Sequence, residues 1–485
     1  MLSPVKPSGV PARLLDSTGP PGGDRAAPAG LAQGSEAANP LREIAFRMAV
    51  VLVFIRFSTI HQLLTYIIHV NLYLLYLFSI PTLAGVVLAG GIQRTLRGRP
   101  AIYWTIFLVW MIAGLPFSTW RGGSAGALDA YARTTFPMLF VIAGLTLTWR
   151  QCRAMMWAVA SGGAAIMLAA KMFQDESGNY GERLAITFGT ISNSNDYACH
   201  LVVVLPFLIW VALAAKSKAL RLAAFGGVGY GILLVLKTAS RGALLALGAG
   251  ALYWLLRGTM RQRIFLIAAG PIAAIALVAF VPRAALVRIV SFSAEDAGAS
   301  QEALASSAMR RYLLGQSIVY TLQHPVFGVG MSQFSSYEGN HNQIIGAHGY
   351  WHETHNTFTE VSSECGLPAL ALYIAAILST FFLMNRVYRQ ARKRPECEDI
   401  RTAAFCIMMA MTMYCTAIAF TNFAYFFYLP AISSLAIAVS RAAPAELAGR
   451  RAACQAAPQP VSVRRPRVPQ SAPALPAALR FAETG

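Results

Sequence analysis

Charge is scarce in this chain. Only 13% of its 485 residues are Asp, Glu, Lys or Arg, and 21 of them are acidic. Soluble domains carry about 25% charged residues, so an ordinary water-facing globule is excluded. The acidic residues never form a DxD pair, and Asp175, Glu176, Glu182 and Asp196 are scattered. A metal grip of the kind built from paired aspartates is therefore not expected. Cysteine is equally unhelpful as a framework. There are seven, with no CxxC pair, and Cys152, Cys199, Cys406 and Cys415 fall in or beside apolar runs. Small buried side chains are the expectation, not a disulfide scaffold. The first 40 residues lack the apolar core of a cleavable signal peptide and are rich in Pro, Gly, Ala and Ser.

Long apolar runs are present in abundance. The chain is 56% hydrophobic with a mean hydropathy of +0.51. Runs of about 18 or more residues with few charges read as membrane spans. Twelve can be drawn, at roughly 44–62, 71–92, 101–118, 127–148, 154–172, 195–215, 219–237, 240–256, 264–281, 366–385, 400–421 and 424–440. The expected fold is an all-α integral membrane protein of about 12 transmembrane helices over 41–441. Disordered tails are expected at 1–40 and 442–485.

The net charge of +19 does not signal nucleic acid, because the basic residues cluster in short connections between apolar runs. Arg94, Arg97 and Arg99 form one cluster, Arg150 and Arg153 another, and Lys216, Lys218 and Arg221 a third. Arg257, Arg261 and Arg263, and then Arg386, Arg389, Arg392, Lys393 and Arg394, complete the set. With alternating spans all five connections share one side. The positive-inside rule makes that side cytoplasmic, and both termini with it. The opposite side then receives residues 172–194, a junction at Ser240 and Arg241, and one large loop at 282–365.

Chemistry concentrates on that outer side. GERLAITFGTISNSNDYA places Arg183 ahead of Asn195, and LKTASRGALLAL opens a helix at Arg241. MRRYLLGQSIVYTLQHPVFGVGMSQF carries Arg310 and Arg311, and HETHNTF carries His352, His355 and Asn356. Singly, each has a plain explanation: arginines snorkel at helix ends, loop histidines are solvated, and Pro and Gly punctuate chains. Together they suit one task. Guanidiniums make a permanently charged cradle for a diphosphate, and a histidine accepts a proton near neutral pH. Its ordinary pKa of about 6.5 leads us to expect a rate that rises through that pH. Glu360 and Glu364, four apart, share a helix face. That face steadies the histidine, meets a basic acceptor group, or is simply solvated.

The motif order RLxxTFGTxxxSN, SRGALLAL, R(x)nHPVFGVG, THNTFTEVSSECGLPAL resembles the O-antigen ligase and polymerase superfamily of bacterial envelope glycosyltransferases. The resemblance covers roughly residues 180–385 by motif. It implies a C-type glycosyltransferase-like membrane domain whose large periplasmic loop lies over the active site. The implied reaction moves O-antigen from undecaprenyl diphosphate to the lipid A–core oligosaccharide, at the periplasmic face of the inner membrane. It implies inversion by direct displacement, with no metal or other cofactor. Carried over by motif, His355 is the general base, and Arg183 and Arg241 bind the diphosphate. Arg311 or Arg310 is a further substrate contact, and His352, Asn356 and Asn195 complete the substrate-binding set. A polymerase joining undecaprenyl-diphosphate-linked repeat units shares these motifs. A lipid-linked glycan transporter is a third reading, against which stand the absence of clear internal repeats and the large outer loop. HETH does not have the HExxH spacing of a zinc protease.

Overall fold

A computed structural model of the chain describes residues 39–174, 183–290, 301–344 and 351–456. Every regular element among the described residues is a helix. In chain order the α-helices are α1 (Pro40–Ser58), α2 (Ile60–Ile68), α3 (Leu74–Leu88), α4 (Gly91–Leu96), α5 (Arg99–Gly114) and α6 (Arg121–Thr134). Next come α7 (Pro137–Leu145), α8 (Trp149–Met172), α9 (Ser194–Ala214), α10 (Lys218–Lys237), α11 (Arg241–Arg257) and α12 (Met260–Val278). The last six are α13 (Arg283–Val290), α14 (Gln301–Gln323), α15 (Phe334–Ile344), α16 (Thr357–Ala391), α17 (Glu398–Ala417) and α18 (Tyr428–Ala456).

Local chemistry explains where several of these begin. Asn39 caps α1 by accepting from the backbone N–H groups of Leu41 and Arg42, with Pro40 in the first turn. Thr148 and Gln151 form a reciprocal capping box at α8. Thr59, at φ 50°, separates α1 from α2, and the two meet at a bend of 67°.

Among the described residues, six helices suffice by length and composition to cross a membrane: Arg99–Phe117, Trp149–Met172, Ser194–Ala214, Lys218–Lys237, Thr357–Ala391 and Pro395–Phe420. The bent pair α1–α2 makes a seventh if it is one span. The chain is a multi-pass membrane protein. The twelve runs drawn from hydropathy do not all become long helices. Run 71–92 yields α3, whose 15 residues reach about 22 Å, short of the roughly 30 Å hydrocarbon layer. Run 127–148 divides at Thr135 and Phe136 into α6 and α7. α18 continues past residue 442, where the sequence reading begins a tail, to Ala456. Residues 1–38 and 457–485 lie outside the described residues.

α9 forms the centre. After Asp196 it carries no charge, and apolar residues surround it on all sides, the pattern of an enclosed helix. It packs against α8, α10, α11 and α17. At the end of the bundle that holds the basic connections, three arginines do more than set topology. Arg42 and Arg94, both buried, donate to Leu145 O and Gly144 O, while Arg441 donates to Ala143 O and Thr146 O. All of these carbonyls lie at or just beyond the C-terminus of α7, where cations are favourable.

The element that positions the chemistry is α16, and it is broken. Gly366 sits at φ 84°, ψ 171° inside it. Pro368 lacks the N–H that would bond Glu364 O, so the break leaves carbonyls without helical partners. The segment 325–330 supplies the replacements. Gly330 N–H donates to Glu364 O at 2.9 Å, Val329 N–H donates to Ser363 O at 2.8 Å, and Pro325 O accepts from Leu367 N–H at 2.8 Å. HPVFGVG is thus the backbone complement of ECGLP. A Cβ on Gly366 would lie 1.9 Å from Val326 O, and one on Gly328, itself at φ +69°, 2.2 Å from the carbonyl carbon of Glu364. Strain and overlap add, so Gly366→Ala should destabilise the protein by about 3 kcal/mol or more. The expected readout is a large fall in the thermal midpoint of the detergent-purified protein. An unchanged midpoint would show that the break is not needed.

Candidate active site

The sequence places Arg183 ahead of α9, and the structure shows what fixes it. Its Nε donates to Thr238 O and its Nη2 to Asn195 Oδ1, both at 2.8 Å. Leu184 N–H donates to Lys237 O at 2.9 Å. The Arg183 loop is therefore stitched to the C-terminus of α10 and the first turn of α9. Asn195 acts as the acceptor that orients the guanidinium.

Three residues after Thr238... the chain reaches Arg241 through a tight turn. Ala239 adopts φ 49°, a left-handed conformation rare for a residue with a Cβ, and α11 begins two residues later. A Cβ on Gly242 would lie 2.7 Å from the Cβ of Phe420. The glycine of SRG thus lets the start of α11 close onto the turn before Thr421, with Arg241 at its first position. Thr421 O in turn accepts from Thr357 Oγ1 at 2.8 Å, and Thr357 Oγ1 accepts from Phe423 N–H at 2.8 Å. This path of contacts links Arg183, Arg241 and the start of α16 at one end of the bundle.

His355 stands just before that start. Asn356 caps α16, its Oδ1 accepting from Phe358 N–H at 3.0 Å and Thr359 N–H at 3.2 Å. The cap leaves His355 at φ 52°, in the left-handed region. Non-glycine residues held there cluster at functional sites and persist only when their surroundings enforce them. Burial, then the nearby charges of Arg310 and His352, push the His355 imidazole down from 6.5 to about 4. It is therefore neutral, with a lone pair available, throughout the physiological range. The rise near 6.5 expected for an ordinary histidine accordingly moves down towards 4. Burial pushes the neighbouring Glu353 carboxyl up.

Of the two loop arginines, Arg310 is partly buried and acts electrostatically on His355, whereas Arg311 is exposed. His352 is exposed beside the site. Asn356 spends its side chain on the helix cap.

Glu360 and Glu364 correct the sequence reading of a solvated face. Both are buried. Glu360 Oε2 accepts from Ala424 N–H at 3.2 Å. Glu364 accepts from Ser332 N–H at 2.8 Å, Phe334 N–H at 3.1 Å and the Tyr425 hydroxyl at 2.7 Å. The pair pins two chain segments, 331–334 and 421–428, onto the first half of α16. Sequence reasoning missed the 421–428 turn altogether, because TNFAYFFY reads as apolar filler. Pro368 after Gly366 announces free carbonyls and hence the 325–330 partner, but not the 421–428 turn.

Residues 226–374 match the family model described as O-antigen ligase. The match takes in Arg241, Arg310, Arg311, His352, His355 and Asn356, and stops short of Arg183 and Asn195. No curated protein matches the chain.

Removing Glu364 would leave two backbone N–H groups and a tyrosine hydroxyl without their acceptor. Each orphaned buried donor costs about 1–3 kcal/mol. Glu364→Ala should therefore lower the thermal midpoint more than Glu364→Gln, whose amide oxygen still accepts. Equal midpoints for both variants and the wild type would refute the pinning role.

Proposed function

We propose, from the O-antigen ligase domain carried by residues 226–374, that this membrane enzyme transfers O-antigen polysaccharide from undecaprenyl diphosphate to lipid A–core oligosaccharide. The observation that carries the reading is His355: a half-buried imidazole held in the left-handed region near Arg310, at the end of the bundle where Arg183 and Arg241 are also fixed. That end is assigned to the periplasmic face of the inner membrane, with both termini cytoplasmic and residues 282–365 forming the large outer loop. The twelve-span topology belongs to this proposal.

The chemistry divides cleanly. The acceptor hydroxyl gives its proton to a ring nitrogen of His355. Its oxygen attacks the anomeric carbon, and the carbon–oxygen bond to the diphosphate breaks from the opposite face. The departing diphosphate takes the electron pair, and the anomeric configuration inverts. A diphosphate is a good leaving group, so no general acid is required. Positive charge set in place beforehand stabilises the departing oxygens. Arg183 and Arg241 supply it, with Arg310 the third guanidinium in preference to Arg311. Exposed His352 lies where an incoming glycan would pass. Asn195 and Asn356 act by holding Arg183 and His355.

A polymerase would use the same machinery, and deletion of the gene separates the two. Gel analysis of lipopolysaccharide from the deletion strain should show full-length chains retained on the lipid carrier and none on the core. A single repeat unit on the core would instead establish a polymerase.

Purified variants test the division of labour. A positioned base is worth about 10²–10⁴-fold in rate, so His355→Ala should lose that much turnover and keep donor binding. Arg241→Ala and Arg183→Ala should lose donor binding. The sign for pH follows from a depressed imidazole: kcat/KM stays level from pH 8 to about 5.5 and falls only as the pH approaches about 4. A fall centred on 6.5, or near-normal transfer by His355→Ala, would remove His355 from the role of base.

A further inference from the structure

Arg56 interrupts the apolar run of α1 one turn before the bend, and nothing in the proposed reaction uses it. Its Nη2 donates to Thr134 O at 3.3 Å, and its guanidinium carbon lies 4.2 Å from the centre of the Phe427 ring. Its Nε is wholly buried and has no acceptor. Among the described residues no carboxylate pairs with it. Across the bend, the Nδ1 of His61 is also buried without a partner. An ionised side chain at membrane depth is costly unless an opposite charge or a polar cavity receives it. Five N–H donors in a planar fork, of which one is committed, match the oxygens of a phosphate.

The position is as informative as the unmet hydrogen bonds. Gln62, next to His61, donates from Nε2 to Thr190 Oγ1 at 3.2 Å and accepts from Thr190 N–H at 3.1 Å. Thr190 belongs to the loop that carries Arg183. Phe427 belongs to the 421–428 turn, whose other residues hold the start of α16 and thus His355. Arg56 and His61 therefore sit between the two supports of the active site.

We infer that Arg56 and His61 form a second phosphate-binding subsite at this end of the bundle, alongside the one assigned to Arg183 and Arg241. The ligand chemistry is a phosphate oxyanion. It arrives on the lipid-linked diphosphate donor or on the headgroup of a membrane phospholipid. The subsite deepens the proposed function where the donor is the source, and stands without it where the ligand is a phospholipid.

Inorganic pyrophosphate tests the subsite apart from any activity. Pyrophosphate should raise the melting midpoint of the wild-type protein in non-ionic detergent, and titration gives its Kd. Loss of one charged hydrogen-bonding group costs about tenfold in affinity. Arg56→Gln should therefore weaken pyrophosphate about tenfold, with Arg56→Lys intermediate. His61→Gln, a milder change that keeps the fold if Arg56→Gln does not, should weaken it severalfold. Transfer assays then assign the source. A donor KM raised about tenfold by Arg56→Gln, with kcat little changed, identifies the donor. An unchanged donor KM with loss of the wild type's preference for anionic over zwitterionic nanodiscs identifies a phospholipid. If the Arg56 and His61 variants bind pyrophosphate as the wild type does and only melt earlier, Arg56 is a structural anchor on Phe427 and the proposal is overturned. Absence of glycan transfer by the wild type as well as the variants, with the pyrophosphate pattern intact, would refute the proposed function and leave the subsite standing.

Discussion

The break in α16 is the constraint on which the rest of the site depends. A helix in a low-dielectric setting cannot leave carbonyls unpaired without a cost of several kcal/mol. Gly366 and Pro368 nevertheless free the carbonyls of Ser363 and Glu364, and segment 325–330 exists to receive them. This arrangement docks segment 325–330 against the broken helix. It also aims the first half of α16, and with it His355, independently of the long second half. The two motifs look unrelated in sequence, but they form one hydrogen-bonded unit.

Buried carboxylates extend the same principle. Glu360 and Glu364 do not face water. They take backbone N–H groups from segments that have no regular structure of their own. An irregular chain at the edge of a membrane needs acceptors, and glutamate is long enough to reach them from a helix. The same packing dries out the neighbourhood of His355. Desolvation, reinforced by Arg310, then keeps its imidazole neutral. The architecture that holds the residue in place also sets its protonation.

Six of the arginines fall into two groups. Arg42, Arg94 and Arg441 end on carbonyls around the C-terminus of α7, where a cation completes a helix end. Arg183, Arg241 and Arg310 gather instead around α16 and the turns that support it. Composition alone, with its excess of basic residues, does not separate the two. The first group stabilises a helix terminus by charge–dipole attraction, and the second concentrates positive potential near His355.

Membrane class, helical character and the order of four motifs were all legible in the sequence. Hydropathy and short-range spacing are local properties that survive without a fold. Arg183, Arg241 and His355 could be named for the same reason, since each belongs to a compact motif. Long-range contact decided the rest. Hydropathy drew twelve spans, but it does not register where an apolar run breaks, as at Thr135 and Phe136, or bends, as at Thr59. Periodicity placed Glu360 and Glu364 on one face but could not say that the 421–428 turn covers it. Only tertiary packing could set Arg310 apart from Arg311 and lower His355 below an ordinary histidine. Burial and charge proximity are properties of neighbours in space, and here those neighbours lie tens to hundreds of residues away.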